Sequence, residues 1–437
     1  MINGRALWTM LLLLCPLVGY SFFQATTPYG EASAAARDSP AMASGLSPLD
    51  GVLVPTFGAF YVAVTLLFPF VAIRVLGREK ETGALRLLVQ LPYRTATLIA
   101  AKMAAVTIAL VIALIPALST LALWEIFGGH LSPPETINLL GGHLLYGLLV
   151  GAIALFSAAI SDSAATAAIV ALAFTIGSWV LDFALAGQPG LLGVISRLSL
   201  TQTLRTFEHG LLSASLAVGI AAAIVGFCAL ATIWLHPGLP VRSKLSRSVA
   251  CAAVMAALFA TATQIRASAD LAEDRRNSFP PADQRELASF KEPLAITVHL
   301  APEDPRYADL RRNVLAKLER VMPHVSIRLA SGAQTIVGSS AEESYGEVEY
   351  SYAGRSAKSR STSHREALPI LYELAGRPIP TPIAGEDYPG YPLVAEAHVA
   401  LPWFFAVLPL LILLAWWWIS QPPRVPQFLI QGNGGSL

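Results

Sequence analysis

Long uninterrupted apolar runs dominate the chain and fix its first reading. A helix needs about 18 or more apolar residues to cross a bilayer. Eight runs of that kind occur, near 6–24, 52–76, 102–125, 138–160, 164–186, 212–235, 248–265 and 401–419. The first is longer than the core of a signal peptide and the small-residue stretch EASAAA lies well past its end, so it reads as a retained span. Between the seventh and eighth runs the pattern changes. LAITVHL (294–300) alternates like a strand, YADLRRNVLAKLERV (307–321) puts Leu310, Val314, Leu318 and Val321 on one helical face, and HVSIRLA (324–330) is a second strand. GEVEYSYAG (346–354) predicts another strand, and SHREALPILYELAG (363–376) a helix with Ser363 and Glu366 as a capping box and Gly376 as its stop. The Pro-rich stretch 377–392 reads as a linker.

Composition sharpens this picture. Hydrophobic residues make up 54% and charged residues 14% of the chain, outside the soluble range of about a quarter charged. The formal net charge of +1 points to no nucleic acid or acidic substrate. Lys and Arg are retained on the cytoplasmic side of short loops. With the N-terminus inside, that side holds Arg5, Arg74, Arg78, Lys80, Arg86, Arg94, Lys102, Arg242, Lys244, Arg247 and Arg424, against Arg37, Arg197 and Arg205 outside. The expected product is an α-helical polytopic membrane protein of about eight transmembrane helices, with both termini in the cytoplasm. A small extracytoplasmic α/β domain would lie between the last two helices. Cys15, Cys228 and Cys251 each lie in an apolar run and predict neither a disulfide framework nor a metal knuckle. The outer loop 25–51 offers no chemistry of its own.

The densest short patch of mixed charge, GREKETGALRLLVQLPYRTATLIAAK (77–102), predicts a short amphipathic helix at the cytoplasmic interface. Its order of charges, glycine, leucines, proline and lysine resembles the segment after the second span of type 2 ABC transporter permeases. Glu79, Gly83, Leu85, Leu87, Leu88, Pro92 and Lys102 match that pattern, while Ala84, Arg86 and Ala101 depart from it. The resemblance implies that Arg78, Glu79, Lys80, Glu81, Gly83, Leu85, Arg86, Leu87, Leu88, Pro92 and Lys102 dock on a separate ATP-binding subunit. It implies two copies of that subunit and a permease dimer, either a homodimer or a pair with a paralogue. The chain has no Gly-x-x-x-x-Gly-Lys-Ser/Thr. ATP is therefore expected on the partner, with no cofactor and no catalytic residue in this chain.

The segment after the seventh run, DLAEDRRNSFPPADQRELASFKEPLAITVHL (270–300), resembles the start of the auxiliary extracytoplasmic subunit of gliding-motility-type ABC systems. The resemblance implies a fusion: 1–236 a six-helix permease domain, 237–266 a cytoplasmic loop and seventh helix, 267–392 the outer domain with its linker, and 393–437 the eighth helix and tail. SRLSLTQTLRTFEHGLL (196–212) looks like the family's short extracytoplasmic helices. His299, His324, His364 and His398 lack ligand spacing, and the crowding of Ser, His and Glu in SRSTSHRE (359–366) is explained by a helix start. Ionisable groups inside a span are functional candidates by default. Glu125, Asp162 and Asp182 fall at span ends, which leaves His143 as the candidate pathway residue. The resulting expectation is a permease subunit that moves a substrate at the cell envelope. Its alternatives are a mechanical component that passes ATPase motion to an envelope partner, and a passive anchor for the outer domain.

Overall fold

The computed structural model describes residues 5–185, 199–265, 267–301, 304–330, 345–381 and 388–421. Arg197, Arg424 and the middle of the Pro-rich linker lie outside these residues, as does the side chain of Asp182. The chain is mostly helical, and among the described residues eight helices are long and apolar enough to cross a membrane. In order they are Arg5–Ala35, Leu49–Glu81, Thr95–Ile126, Pro133–Ile160, Ala164–Leu185, Ala214–Leu235, Val241–Ala262 and Ala397–Ser420. They are called the first to eighth helices below.

All eight predicted runs are helical, but their ends differ from the sequence expectation. The first helix continues about three turns past residue 24 through Thr26, Tyr29 and Ser33. The reason is burial: these residues face the protein rather than solvent, so polar character does not mark a helix end there. The third and seventh helices begin at Thr95 and Val241, each about two turns before its apolar run, because basic residues at the end of a helix can remain solvated. The third helix breaks once at Leu114, where Pro116 cannot continue the backbone ladder.

The fourth helix is the centre of the bundle. Of its most apolar 18-residue window 72% is buried, against 6% for the seventh, which packs on the sixth and otherwise presents its sides outward. Glycines permit the closest approaches. A Cβ on Gly151 would lie 2.6 Å from Val106 of the third helix, and one on Gly19 would lie 2.3 Å from Phe404 of the eighth. The eighth helix is thereby seated against the first, with Phe22 and Phe404 in ring contact.

A four-stranded sheet lies between the seventh and eighth helices. Its strands are β3 (Leu294–Val298), β4 (Val325–Leu329), β5 (Val348–Tyr352) and β6 (Arg355–Ser359), in the order β4-β3-β5-β6. The predicted β-α-β unit is present: β3 and β4 are parallel, and the crossover runs from Pro305 to Val321 with one π-helical turn at Arg311–Leu315. Leu310, Val314 and Leu318 are buried against Ile296 and Tyr350 in one core. Strand β6 is absent from the sequence expectation. It is an edge strand of sequence RSAKS, which carries no apolar alternation, and its charges protect an open edge. The helix His364–Ala375 starts at Ser363, whose hydroxyl accepts from Arg365 N at 3.3 Å, and ends at Gly376 with φ +65°. The reciprocal half of the predicted capping box is replaced: the Ser363 N–H donates to Ser361 Oγ at 3.1 Å, so Glu366 is not required there.

A separate two-stranded ribbon, β1 (Leu211–Ser213) antiparallel to β2 (Ser268–Asp270), ties the start of the sixth helix to the end of the seventh. The sheet region therefore begins from a fixed point on the bundle.

Candidate functional site

The stretch 77–102 folds at the end of the bundle opposite the sheet. The second helix runs through Arg78, Glu79, Lys80 and Glu81, and Gly83 stops it with φ +77°, a conformation that costs glycine little. A separate helix, Ala84–Gln90, follows, and Leu91 turns extended ahead of Pro92 as a residue before proline should. The expectation of one amphipathic helix is corrected here. Arg78, Glu79, Lys80 and Glu81 belong to the long second helix, and Leu85, Leu87 and Leu88 with Arg86 to a seven-residue helix, because the left-handed glycine separates them.

The candidate residues divide by direction. Leu85 is buried and Leu88 half-buried, whereas Leu87 is 69% exposed and Arg78, Glu81, Arg86 and Pro92 are exposed beside it. Glu79 pairs with Lys102 of the third helix, with side chains 26% and 14% exposed. Lys80 reaches a different element. Its Nζ donates to the carbonyls of Ala158, Ala159 and Ser161 at 2.6, 2.9 and 2.8 Å, which are orphan acceptors at the C-terminus of the fourth helix. Lys244 does the same for the sixth helix, donating to Trp234 O at 2.8 Å. Three of the charged candidates thus hold the loop in place, and the outward face is left to Arg78, Glu81, Arg86, Leu87 and Pro92. A cleft of about 840 Å³ opens beside them, between the first, second and third helices.

At the sheet end the segment 270–278, DLAEDRRNS, forms a collar between the bundle and the sheet region. Asp270 accepts four hydrogen bonds, from Ala272 N, Asn277 N, Asn277 Nδ2 and Ser278 Oγ, at 2.6–3.2 Å. Glu273 reaches in three directions. Its amide donates to Glu135 Oε1 at 2.6 Å, and its carboxylate meets His130 Nε2 at 2.8 Å and accepts from the Tyr391 hydroxyl. The rings of His130 and Tyr391 stack at 3.6 Å between centroids. Arg276 pairs with Asp50 and Asp274 and donates to Ser47 Oγ at 2.9 Å. Burial alone would depress the Arg276 guanidinium, but the Asp274 and Asp50 carboxylates raise it above its ordinary value. From the sheet region, Lys317 Nζ donates to Ser278 O at 3.0 Å and Arg320 to Asn277 O; burial depresses the Lys317 amine to about 8.

Loop 25–51, expected to be inert, is part of this collar. Tyr29 donates to Tyr391 O at 2.7 Å, and Ser33 Oγ accepts from Leu393 N at 2.9 Å. No spacing rule marks these partners in sequence. The available signal was the density of Asp, Glu, Arg and Asn in 270–278 directly after an apolar run, a composition that needs many partners if it is buried.

His143 sits in the packed interior of the fourth helix, between the rings of Phe57 and Phe60. Its Nδ1 donates to Leu139 O at 3.0 Å, and Nε2 faces Glu208 Oε1 at 3.5 Å. Burial pushes the Glu208 carboxyl up to about 7, so a protonated carboxyl can stand opposite the imidazole. This surrounding fits a packed polar pair closing the short helix Leu200–Glu208 onto the bundle, which Asn138 also holds by donating to Phe207 O at 2.7 Å. Among the described residues no three His, Cys, Asp or Glu side chains are grouped to hold a metal ion. Comparison with protein-family models, with curated proteins and with solved structures gives no match.

Proposed function

We propose that this chain is the membrane subunit of an ATP-driven ABC transport system, coupled to separate ATP-binding subunits through residues 78–92. The observation that carries the reading is the helix Ala84–Gln90. It is a short, separate helix between two long ones, with Leu87 and Arg86 outward and its frame tied to the fourth helix by Lys80 and to the third by Glu79 and Lys102. A push on such an element moves three long helices together, which is what transmission from a soluble motor requires. The excess of Lys and Arg at this end supports an orientation with this end on the cytoplasmic side of the inner membrane and the sheet region outside. The subunit works as a dimer with two copies of the motor, and the permease itself binds no nucleotide.

A second reading draws on the collar. Because 270–278 joins the sheet region to the second and fourth helices, and Leu393 is tied to Ser33 of the first, motion of the bundle would also be delivered to a partner outside, without cargo. The discriminating experiment is purification of the full chain from its native membrane, followed by identification of co-purifying proteins and an ATPase assay. Recovery of a nucleotide-binding subunit whose ATPase activity falls on Glu81→Arg or Leu87→Ser supports coupling. Recovery of envelope partners alone, with no ATPase, rejects coupling in favour of a passive anchor. Transport by the reconstituted complex then separates cargo movement from mechanical work.

A further inference from the structure

Two depressions meet at the charged end of the first and second helices. One is the cleft of about 840 Å³; the other is a groove of about 250 Å³ that runs from it along the seam between these helices. They share Arg5, Ala6, Val71 and Arg74. Beyond the two arginines the groove is lined by Thr9 and by the apolar side chains of Met10, Leu13, Leu67 and Phe70, with Leu13 52% and Phe70 44% exposed. On the other side of the arginines the cleft adds Arg78, the Lys102–Glu79 pair and, farther out, Glu81. Among the described residues the guanidinium groups of Arg5, Arg74 and Arg78 have no carboxylate partner.

This arrangement has a polarity along the helix axis. Arg5 to Leu13 and Arg74 to Leu67 are seven or eight residues apart, about 10–12 Å of helix, which is most of one leaflet's hydrocarbon depth of about 15 Å. Cations therefore stand at one end of a seam that is apolar for the depth of a chain. Unpaired arginines at a membrane surface attract anionic headgroups, and guanidinium suits phosphate by its planar set of donors. A free anion would use the cationic mouth and leave the apolar seam without a role.

We propose that the seam between the first and second helices binds one anionic phospholipid, its phosphate on Arg5 and Arg74 and an acyl chain along Met10, Leu13, Leu67 and Phe70. Arg78 extends the cationic rim toward the short helix 84–90, so the lipid would lie beside the coupling face without depending on what docks there.

The test is native mass spectrometry of the full-length chain in detergent, titrated with phosphatidylglycerol and with phosphatidylcholine of the same chains. Phosphatidylglycerol should bind about tenfold or more tightly, and Arg5→Gln with Arg74→Gln should bring the two lipids within about twofold, as loss of two surface cations implies. Thr9→Trp, which fills the groove and leaves both arginines, should weaken phosphatidylglycerol by a similar factor; it keeps the test decisive if the double variant does not fold. Arg94→Gln, at the same end but off the seam, should change nothing. Equal binding of both lipids by the unaltered chain would overturn the proposal. So would full competition by inorganic phosphate or the chainless headgroup, which would make this an anion site only. A dimer that excludes lipid from the seam would assign the groove to a second copy and equally reject it.

Discussion

At the sheet end, the nine residues 270–278 bond to the loop around Ser47 and Asp50, to Glu135 and His130, to the tail of the short helix 200–208 and to the sheet region itself. At the opposite end, the helix Ala84–Gln90 buries one residue, Leu85, and leaves Leu87 exposed, as are Leu91 and Tyr93 on either side of the Pro92 that follows it. Both regions are short, charged and set between apolar helices, yet one has used its polar groups internally and the other has kept an outward face. The difference separates a region whose polar groups are satisfied within the chain from one that keeps an open surface. A collar with satisfied buried charges fixes one geometry. A short helix held by Leu85 and at its flanks keeps the rest of its surface open.

The collar is the place where a single change should cost most. Arg276→Ala leaves Asp274 and Ser47 without their shared donor in a mostly buried junction, and Asp50 loses its counter-ion. Breaking one partner of such a pair costs about 3 kcal/mol when the remaining charge is largely buried; Asp50 is about half exposed, which places this site at the low end. The thermal midpoint of the detergent-purified chain should fall by several degrees, and proteolysis should then release the sheet region. A midpoint unchanged within a degree would remove the collar from any account of coupling.

Lys80→Met tests the anchoring on the other side of the comparison. Three carbonyls at the end of the fourth helix lose a charged donor, and water can replace it only in part because Lys80 is half-buried. A loss of about 2 kcal/mol is expected, since hydrogen bonds to a charged group are worth more than neutral ones. Lys80→Arg should recover part of this loss, whereas a loss as large in Lys80→Arg as in Lys80→Met would indicate that the chain geometry and not the charge mattered. Hydrogen exchange in 156–162 is the direct measurement, and faster exchange there but not in 84–90 would support two separate anchors.

Much of this architecture can be read from the chain because burial in a long apolar helix leaves a strong, local signature. The eight runs, the β-α-β unit with Leu310, Val314 and Leu318 on one face, and the stop at Gly376 all depend on residues close in sequence. The collar does not. Tyr29 with Tyr391, and Ser47 with Arg276, are contacts across hundreds of residues between polar groups, and nothing in either segment alone predicts its partner. Within 77–102 the residue types were informative but their directions were not. Glu79, Lys80 and Lys102 have the composition of an exposed docking patch, and only the neighbouring helix ends draw them inward. Gly83 decided the division of that stretch, since a left-handed residue between charges and leucines puts them on different helices.

Glu208 makes the stability of the chain depend on pH. Burial raises this carboxyl to about 7, so the folded chain binds a proton there more tightly than the unfolded chain does. The stability contributed by this carboxyl is therefore fully present below about 4.5 and is lost as pH rises through about 7. Glu208→Gln removes the titration. Relative to the unaltered chain it should gain on the order of 1–2 kcal/mol between pH 5 and pH 8, the shift being discounted for partial solvation. Melting curves at both pH values check this, and parallel behaviour of the two chains would mean that Glu208 is ionised beside His143 throughout.

The smallest expected effect on the fold is also the sharpest on the proposed function. Leu87→Ser changes a side chain that is 69% exposed on the outward face of 84–90, so burial on folding is hardly altered and stability should shift by less than about 0.5 kcal/mol. Docking would alter that balance. A leucine covered on association contributes about 1.5–3 kcal/mol, equivalent to a tenfold or greater loss of affinity when it is replaced by serine. The variant should therefore melt with the unaltered chain yet recover far less of a nucleotide-binding partner from native membranes, with ATPase activity falling in step. Leu85→Ser is the counterpart, since Leu85 is buried against the bundle and its loss should lower the midpoint first. If both variants keep the partner and the activity, the helix 84–90 is a solvated turn, and coupling would have to be sought elsewhere on the charged end.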